Sequence, residues 1–246
     1  MTEVSGTSAK SRSEPEKPTP DTYWLLEGVS LLVLNGLGGL YVIGEDNVPP
    51  IGPVLLVSNH ISYLDPVAIG DASPRRVVFM AKAELFKIKP LGFLLRGVDS
   101  FPIKRGAADR SAFKNTLAMI GEDRAVCIFP EGTRSRTGEI GEAEAGAGVF
   151  ATRTGCPVVP VYVHNSNRML DNKGKLHRGF PITVTFGSPF VLPRTMDKDT
   201  AGRELMAAIT QTKEAFEQAP NAYRRRVWPH WIKKRLEGSR AVNRRG

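Results

Sequence analysis

Cysteine is scarce in this sequence of 246 residues, which contains only Cys127 and Cys156. Each of them lies beside apolar, β-branched residues, so we expect two reduced thiols in the core rather than a disulfide framework. The first 22 residues also lack the apolar stretch that a secretory signal requires. We therefore expect the protein in the cytoplasm or on the cytoplasmic face of a membrane. Together with the apolar and basic segments described below, this indicates the cytoplasmic face of the cell membrane, where the protein is held peripherally or by a single segment.

Two kinds of catalytic pattern are absent as well. The histidines are scattered rather than paired at the spacing of metal ligands; they are His60, His164, His177 and His230. No serine or cysteine lies in the glycine-flanked turn of a nucleophile elbow. We expect no metal, no cofactor and no acyl-enzyme, which leaves attack by a substrate hydroxyl that a general base assists.

Positive charge is concentrated in a basic tail, residues 221–246. The chain has a net charge of +9, and nine Lys and Arg residues but only one acid, Glu237, fall between residues 224 and 246. Trp228, Trp231 and Ile232 are interleaved with these cations. Indoles and cations together favour an anionic membrane surface, where each Lys or Arg contributes ~1 kcal/mol. Nucleic acid is a less favoured partner, and a solvated tail is the plain alternative.

The N-terminal region changes abruptly from polar to apolar. Residues 1–22 are rich in Ser, Pro, Glu, Lys and Thr, so we expect a disordered tail. Residues 23–43 are apolar, and their number, 21, is close to the ~20 needed to cross a bilayer. Glu27, Asn35 and several glycines weaken a spanning helix. An interfacial or half-inserted membrane-associating segment is therefore favoured, and a buried helix with a first core strand is the alternative.

Residues 44–220 alternate between short apolar runs and segments of helical spacing, as α/β domains do. The runs that predict strands are residues 53–58, 76–80, 100–103, 125–129, 158–163 and 182–186. The segments that predict helices are residues 66–70, 84–95, 109–121, 147–154 and 203–217. The sequence therefore predicts a single α/β domain whose mixed, largely parallel sheet is flanked by helices.

A histidine and a carboxylate follow the first predicted strand of this domain. His60 lies just beyond residues 53–58, and Asp65 lies five residues further on. A regular helix turns about 500° over that separation, so the two side chains can meet only across a loop or a helix start. A carboxylate on one imidazole nitrogen would orient the ring and stabilise the imidazolium formed during proton transfer. The plain alternatives are a structural histidine and, for Asp65, an N-cap ahead of Pro66.

A second polar group follows the predicted strand at residues 125–129. It combines a carboxylate, a glycine that permits close backbone approach, a hydroxyl and a guanidinium group within one turn. Its members are Glu131, Gly132, Thr133 and Arg134. Arginine binds phosphate bidentately, and backbone N–H and hydroxyl donors complete such cradles. Arg105 follows another predicted strand, at residues 100–103. Strand exits gather at one edge of a parallel sheet, although each cation alone is typical of an ordinary surface.

These motifs resemble those of the glycerolipid acyltransferase family, which contains the 1-acyl-sn-glycerol-3-phosphate acyltransferases. The resemblance rests on Asn59-His60 with Asp65 (the HX4D motif), on FPIKR at residues 101–105, on FPEGTRS at residues 129–135 and on VVPV at residues 158–161. It covers about residues 40–190. HX4D alone is a weak signal, but FPEGTRS in the right order makes the resemblance specific.

The resemblance implies an O-acyltransferase that moves a fatty-acyl group from acyl-CoA or acyl-carrier protein to 1-acyl-sn-glycerol-3-phosphate, giving phosphatidic acid in phospholipid biosynthesis. It implies that His60 is the general base and Asp65 its orienting partner. The residues implied to form the acceptor site are Glu131, Gly132 and Thr133, which shape it, and Arg105 and Arg134, which bind the phosphate. The implied partners are a lysophospholipid, an acyl donor and an anionic membrane surface.

One stretch departs from the family pattern. Many members carry a Phe-Lys-x-Gly sequence after FPEGTRS, and its lysine adds positive charge near the phosphate. The corresponding residues here are Ala143, Glu144, Ala145 and Gly146, which place a carboxylate where the lysine would be. A different lysolipid acceptor, for example an amino-acid-linked one, is therefore the alternative substrate. A non-catalytic lipid-binding module is a further alternative.

Overall fold

The computed structural model describes residues 20–87, 89, 92, 95, 100–103, 110–144, 146–219 and 224–229. The strands in this part of the chain are β1 (Leu40–Ile43), β2 (Val54–Ser58), β3 (Val77–Lys82), β4 (Phe101–Ile103), β5 (Ala125–Ile128), β6 (Val158–His164), β7 (Ile182–Phe186) and β8 (Arg225–Arg226). They form an eight-stranded sheet in the order β4-β3-β5-β2-β6-β7-β1-β8.

The sheet is mixed and largely parallel, as the sequence predicted. The strands β4, β3, β5, β2 and β6 are parallel to one another. The pair β6–β7 is antiparallel, and β1 runs parallel to β7. The central strand β2 lies between β5 and β6, so the chain that leaves it emerges beside the exits of both neighbours. That position places residues 59–65 next to residues 129–135.

Helices cover both faces of the sheet. In the described residues they are α1 (Pro20–Leu37), α2 (Asp65–Ala72), α3 (Arg110–Gly121), α4 (Ala147–Thr154), α5 (Ser166–Met169) and α6 (Lys198–Gln218), with short 3-10 helices at Glu45–Asn47 and Ala83–Lys87. Apolar side chains from α1 and α2 pack on one face, and those from α3, α4 and α6 pack on the other. The α/β class predicted from the sequence is confirmed.

Alternate residues of each central strand contribute to the two cores. Leu56 of β2 and Cys127 of β5 belong to the core beneath α1 and α2. Leu55 and Val126 belong to the core beneath the other helices, together with Cys156. Both cysteines are unpaired and buried, as expected for reduced core thiols. Burial raises the pKa of the Cys127 thiol, which keeps it protonated.

The apolar N-terminal segment predicted at residues 23–43 is divided between two elements. Its first part continues α1, and its last four residues form β1, which pairs with β7 and β8 inside the sheet. The break falls at Gly38, where a Cβ would lie 2.8 Å from the backbone of Phe180. The alternative of a helix followed by a core strand is therefore the better description. None of the helices in the described residues has the length and apolar character needed to cross a bilayer.

Two residues near the start of the predicted basic tail belong to the sheet. Arg225 and Arg226 form β8, and the Nε atom of Arg225 lies 2.6 Å from a carboxylate oxygen of Glu45. The Arg226 guanidinium donates to Asn35 and lies over the ring of Trp228. These contacts tie the segment to α1 and β1. Residues 1–19 of the predicted disordered tail and residues 221–223 and 230–246 of the basic tail lie outside the described residues.

Two predicted helices differ from the observed ones. In the predicted helix at residues 84–95, residues 84–87 belong to the 3-10 helix Ala83–Lys87 and residues 89, 92 and 95 are helical, while residues 88, 90, 91, 93 and 94 lie outside the described residues. Helix α6 begins at Lys198, before the predicted residue 203, because the Asp197 side chain caps it. That carboxylate accepts hydrogen bonds from the backbone N–H groups of Asp199 and Thr200.

Candidate active site

His60 and Asp65 form a hydrogen-bonded pair at the exit of β2. The Nδ1 atom of His60 lies 2.8 Å from Oδ2 of Asp65. The Asp65 side chain is fully buried, whereas that of His60 is 17% exposed. A turn at residues 59–64 separates the two, and Asp65 is the first residue of α2. The two side chains therefore meet across a turn that leads into a helix start, which the spacing allowed, and the structure brings these two predicted residues together.

The Asp65 carboxylate is surrounded by donors. Its Oδ2 atom also accepts hydrogen bonds from the backbone N–H groups of Ile61 (2.7 Å) and Ser62 (2.8 Å). Its Oδ1 atom accepts one from the Ser166 hydroxyl at the start of α5. Because every other partner donates to this carboxylate, the Nδ1 atom of His60 carries its proton there. The imidazole is then left with an unprotonated Nε2, which is the atom that a general base requires.

The backbone that carries His60 is fastened to β6. The Asn59 side chain donates from Nδ2 to the carbonyl of Val163 (3.0 Å), and its Oδ1 accepts from the N–H of the same residue (2.8 Å). Asn59 is buried, so these two bonds satisfy polar groups that water does not reach. They continue the β2–β6 ladder beyond the last strand residue and hold the following turn in place.

The second motif packs directly on the histidine. The ring of Phe129 stacks on the His60 imidazole with centroids 4.1 Å apart and planes inclined by 22°. The N–H of Ser135 donates to the His60 carbonyl at 2.7 Å. The turns after β2 and β5 are thus joined through both ring and backbone contacts. Stacking limits the ring to one plane, which complements the orienting bond to Asp65.

The Glu131 carboxylate links the backbone of His60 to the loop that contains Gly141. Its Oε1 atom accepts from the backbone N–H of His60 (3.2 Å), and its Oε2 atom accepts from the N–H of Gly141 (3.3 Å). Burial raises the pKa of Glu131, and the two backbone bonds oppose this rise. The side chain is only 9% exposed. Glu131 therefore shapes the site by fixing residues 60 and 141.

Gly132 adopts a left-handed conformation with a φ of 63°. The Glu144 carboxylate lies over it: a Cβ at residue 132 would be 2.0 Å from the Glu144 Cδ atom. The Glu144 N–H donates to the Pro130 carbonyl at 2.8 Å, which holds this part of the loop against the motif. Only glycine combines this backbone conformation with so close a neighbour. The carboxylate that replaces the family lysine is thus in contact with the predicted acceptor loop.

Arg134 lies over the ring of Tyr63, with its guanidinium carbon 3.5 Å from the centroid. Tyr63 belongs to the turn between His60 and Asp65 and is 52% exposed. This cation–π contact directs the guanidinium group toward the mouth of the His60 turn. Thr133 is exposed beside it. Arg105, the other predicted phosphate ligand, lies outside the described residues.

Three contributors were not identified from the sequence. Ser166 follows β6, Tyr63 lies within the HX4D spacing, and Phe129 begins the FPEGTRS motif. The position of Ser166 was open to inference, because β6 was a predicted strand and its exit adjoins that of β2. Tyr63 and Phe129 carried no signal beyond their position beside predicted site residues.

This arrangement brings together the groups that a general base requires. A buried carboxylate orients one imidazole, the second imidazole nitrogen is not used in that contact, and an arginine-bearing loop lies alongside. All of these groups lie at the carboxyl ends of β2, β5 and β6, where α/β enzymes assemble their active sites. The fold and the position of the site are therefore those of an α/β enzyme.

Comparison with known proteins identifies the family. A family model described as Acyltransferase matches residues 39–164, which extend from β1 to the end of β6. The 1-acyl-sn-glycerol-3-phosphate acyltransferase of Bacillus subtilis is 30% identical over 148 residues, which cover 59% of this chain and 73% of that protein. A protein of Mycoplasma pneumoniae described as a probable 1-acyl-sn-glycerol-3-phosphate acyltransferase is 30% identical over 192 residues, with 70% of each chain covered. The chain belongs to the acyltransferase family and is an acyltransferase.

A solved structure shares the fold. The crystal structure of the 1-acyl-sn-glycerophosphate (LPA) acyltransferase PlsC from Thermotoga maritima matches with a TM-score of 0.65 and 22% sequence identity. The match covers 82% of this chain and 81% of that chain. The two proteins therefore share a fold over most of their lengths.

Proposed function

We propose that the protein transfers a fatty-acyl group from the thioester of acyl-CoA or acyl-carrier protein to the free hydroxyl of 1-acyl-sn-glycerol-3-phosphate, giving phosphatidic acid. The observation that carries this proposal is the His60–Asp65 pair, whose geometry leaves Nε2 of His60 as a base. The names of the relatives from B. subtilis and M. pneumoniae support the choice of acceptor.

The proposed reaction combines a proton transfer through His60 with the transfer of the acyl group. Nε2 of His60 takes the proton of the acceptor hydroxyl while its oxygen attacks the thioester carbonyl. The new C–O bond forms, the C–S bond breaks, and the departing thiolate takes the proton from the imidazolium. The buried Asp65 carboxylate stabilises the imidazolium between these two steps. General-base assistance of this kind contributes ~10²–10⁴-fold to the rate.

The loop after β5 is proposed to hold the acceptor phosphate. Arg134 provides the guanidinium group, which makes a cation–π contact with the Tyr63 ring. Gly132 allows the left-handed backbone conformation of this loop, and Thr133 adds a hydroxyl. Arg105 is proposed as a second phosphate ligand on the resemblance alone. Glu131 holds the loop in place rather than contacting the phosphate, because both of its oxygens accept backbone N–H groups.

A second acceptor class is favoured by one contact. The Glu144 carboxylate lies against Gly132, where it adds negative charge beside the proposed phosphate site. An acceptor with a cationic group, such as an amino-acid-linked lysolipid, would be attracted by that carboxylate, and a bare phosphate would be repelled. The proposed phosphatidic acid synthesis and this alternative share the same base and the same transfer step.

A panel of acceptors separates the two. Purified protein is given labelled acyl-CoA, and in parallel acyl-carrier protein, with 1-acyl-sn-glycerol-3-phosphate or with an amino-acid-linked lysolipid. We expect phosphatidic acid to be the preferred product. Equal or better turnover of the phosphate-free lysolipid would replace the first acceptor with the second. Glu144→Gln should then reduce the preference for the cationic acceptor, whereas Glu142→Gln, on an exposed neighbour, should leave it unchanged.

The reaction is proposed to take place at the cytoplasmic face of the membrane. Helix α1 supports this location because it exposes four apolar side chains, each at least half accessible to solvent: Leu25, Val29, Leu32 and Val33. Their spacing places them on one stripe of the helix, while Leu31 and Leu34 pack into the core. A stripe of this kind suits an interfacial helix that lies in the membrane surface.

The non-catalytic lipid-binding module that the sequence left as an alternative is not retained, because the chain belongs to the acyltransferase family and is an acyltransferase.

A further inference from the structure

We propose that residues 171–178, here named the basic loop, insert into an anionic lipid bilayer beside the active site. In this arrangement Leu176 enters the apolar boundary, and Lys173, Lys175 and Arg178 bind anionic headgroups. The inference rests on the proposed function, because it assumes that the acceptor is a lipid of the same bilayer.

The basic loop is built around one carboxylate. Asp171 accepts hydrogen bonds from the backbone N–H groups of Lys173 and Lys175, each at 2.9 Å. Its other oxygen lies 2.9 Å from Nε2 of His177. The hydrogen bond from His177 and then that from Lys175 lower the pKa of Asp171 to about 2. The one acid in the loop is therefore used internally, and the loop is organised before any partner binds.

The exposed side chains of the basic loop include one leucine and three cations. Leu176 is 51% exposed although its backbone forms a bridge with Leu170. Lys173, Lys175 and Arg178, within three residues of it in sequence, are exposed as well. A large exposed apolar side chain among cations fits the boundary between headgroups and acyl chains.

The basic loop begins at the active site. The carbonyl of Leu170, the residue before the loop, accepts a hydrogen bond from the Ser62 hydroxyl at 3.2 Å. The backbone N–H of Ser62 in turn donates to Asp65. A loop held in a bilayer at this position would present the His60 turn to the membrane surface, where a lysolipid acceptor resides.

The residue after the basic loop contacts the C-terminal end of α1, the helix that carries the exposed apolar stripe. The N–H of Gly179 donates to the carbonyl of Leu37, the last residue of α1, at 2.7 Å. The stripe from Leu25 to Val33 is about 12 Å long, at 1.5 Å per residue. An acidic carrier protein would also attract the cations, but it would leave an apolar helix face of this length uncovered. Cations on a loop that adjoins a helix with an extended apolar stripe favour a bilayer as the partner.

The first test measures binding of the full chain to vesicles of phosphatidylcholine with and without phosphatidylglycerol. The loop variant is Lys173→Gln/Lys175→Gln/Arg178→Gln, and the control is Lys114→Gln/Arg153→Gln/Lys198→Gln, which removes three exposed cations from α3, α4 and α6. At ~1 kcal/mol per cation near the surface, the loop variant should bind anionic vesicles about 10²-fold more weakly. Equal binding of the two variants overturns the proposal.

A second test reports on insertion itself. Because Cys127 and Cys156 are buried, a single cysteine introduced as Leu176→Cys can be labelled selectively with an environment-sensitive dye. We expect a blue shift on anionic vesicles, and none for the same dye on Gln218→Cys, at the exposed end of α6. A dye at residue 176 that stays in water when the protein is bound contradicts insertion.

Activity assays keep the two proposals separate. With a short-chain acceptor below its micellar concentration, the loop variant should turn over like wild type, and it should be slower only with acceptor in vesicles. If wild-type protein fails to acylate any lysolipid, the proposed function fails while the vesicle measurements still decide on the loop. A loop variant that binds vesicles normally but has a raised KM for acyl-carrier protein would mark a carrier-protein site instead and overturn the proposal.

Discussion

The Nδ1 atom of His60 lies 2.8 Å from Oδ2 of Asp65, and Asp65 is fully buried while His60 reaches the surface. This difference in burial separates two roles. The carboxylate is held away from substrate by three further donors and acts only through the imidazole. The imidazole is the group that can contact a hydroxyl. Asp65 is therefore a positioning residue, and His60 is the proposed catalytic base.

The variant Asp65→Asn tests the charge of the positioning residue. The amide oxygen can still accept from the N–H groups of Ile61 and Ser62, so the turn should keep its shape. The neutral amide cannot stabilise an imidazolium, and we expect kcat to fall ~10²-fold or more with little change in KM. The measurement is steady-state kinetics beside circular dichroism. A variant with wild-type kcat would show that the charge has no role.

The Ser166 hydroxyl donates to Oδ1 of Asp65, the carboxylate oxygen that does not contact His60. Ser166→Ala should leave a buried carboxylate oxygen without one partner and cost about 1–3 kcal/mol of unfolding free energy. The control is Thr210→Ala, which removes a hydroxyl bonded to a helix carbonyl far from the site. We expect a loss of activity only in the Ser166 variant, measured at a temperature where both proteins are folded. Equal activities would limit Ser166 to a structural role.

Tyr63 is predicted to act through Arg134. Tyr63→Phe keeps a ring beneath the guanidinium group, and its KM for the acceptor should stay close to that of wild type. Tyr63→Ala removes a contact of about 0.5–1 kcal/mol, so the KM for the acceptor should rise ~2–5-fold while kcat changes little. If both variants behave alike, the ring does not position the arginine.

Asp71 gives a pH dependence of stability with a defined sign. It is partly buried between α2 and α1, and its pKa is raised well above the usual range by desolvation, although a hydrogen bond from Ser30 opposes the rise. The native state therefore binds this proton more tightly than the unfolded state, and the free energy of unfolding falls as pH rises through the native pKa. The free energy of unfolding of Asp71→Asn should exceed that of wild type most at high pH, and this difference should become smaller at low pH.

Urea unfolding across that pH range measures the effect, and Ser30→Ala provides a companion variant. Because Ser30 lowers the pKa of Asp71, its removal should enlarge the loss of stability at high pH. A difference between wild type and Asp71→Asn that does not change with pH would contradict this account.

The fold class followed from the sequence because the strands are short, apolar and well separated. The strand predicted at residues 182–186 coincides with β7, which lies between Pro181 and Gly187. The order of strands could not be derived in the same way. The antiparallel contact of β6 with β7 and the pairing of β1 with β7 join segments distant in sequence, and no local pattern encodes such pairing.

The same limit applies to the site. The His60–Asp65 pair is local, and its five-residue spacing indicated that the two side chains can meet across a loop or a helix start, while a structural histidine and an N-cap remained open. Ser166 lies 101 residues from Asp65, and Glu144 reaches Gly132 only because the intervening loop folds back. Contacts of this kind depend on the adjacent exits of β2, β5 and β6. These contacts could be identified only once the order of the strands in the sheet was known.

The most direct test of the proposed reaction is acyl transfer from labelled acyl-CoA to 1-acyl-sn-glycerol-3-phosphate by wild type and by His60→Ala, repeated with acyl-carrier protein as donor. We expect phosphatidic acid from the wild type and a rate at least ~10²-fold lower from the variant. Variant protein that transfers at the wild-type rate would contradict the assignment of His60 as the base.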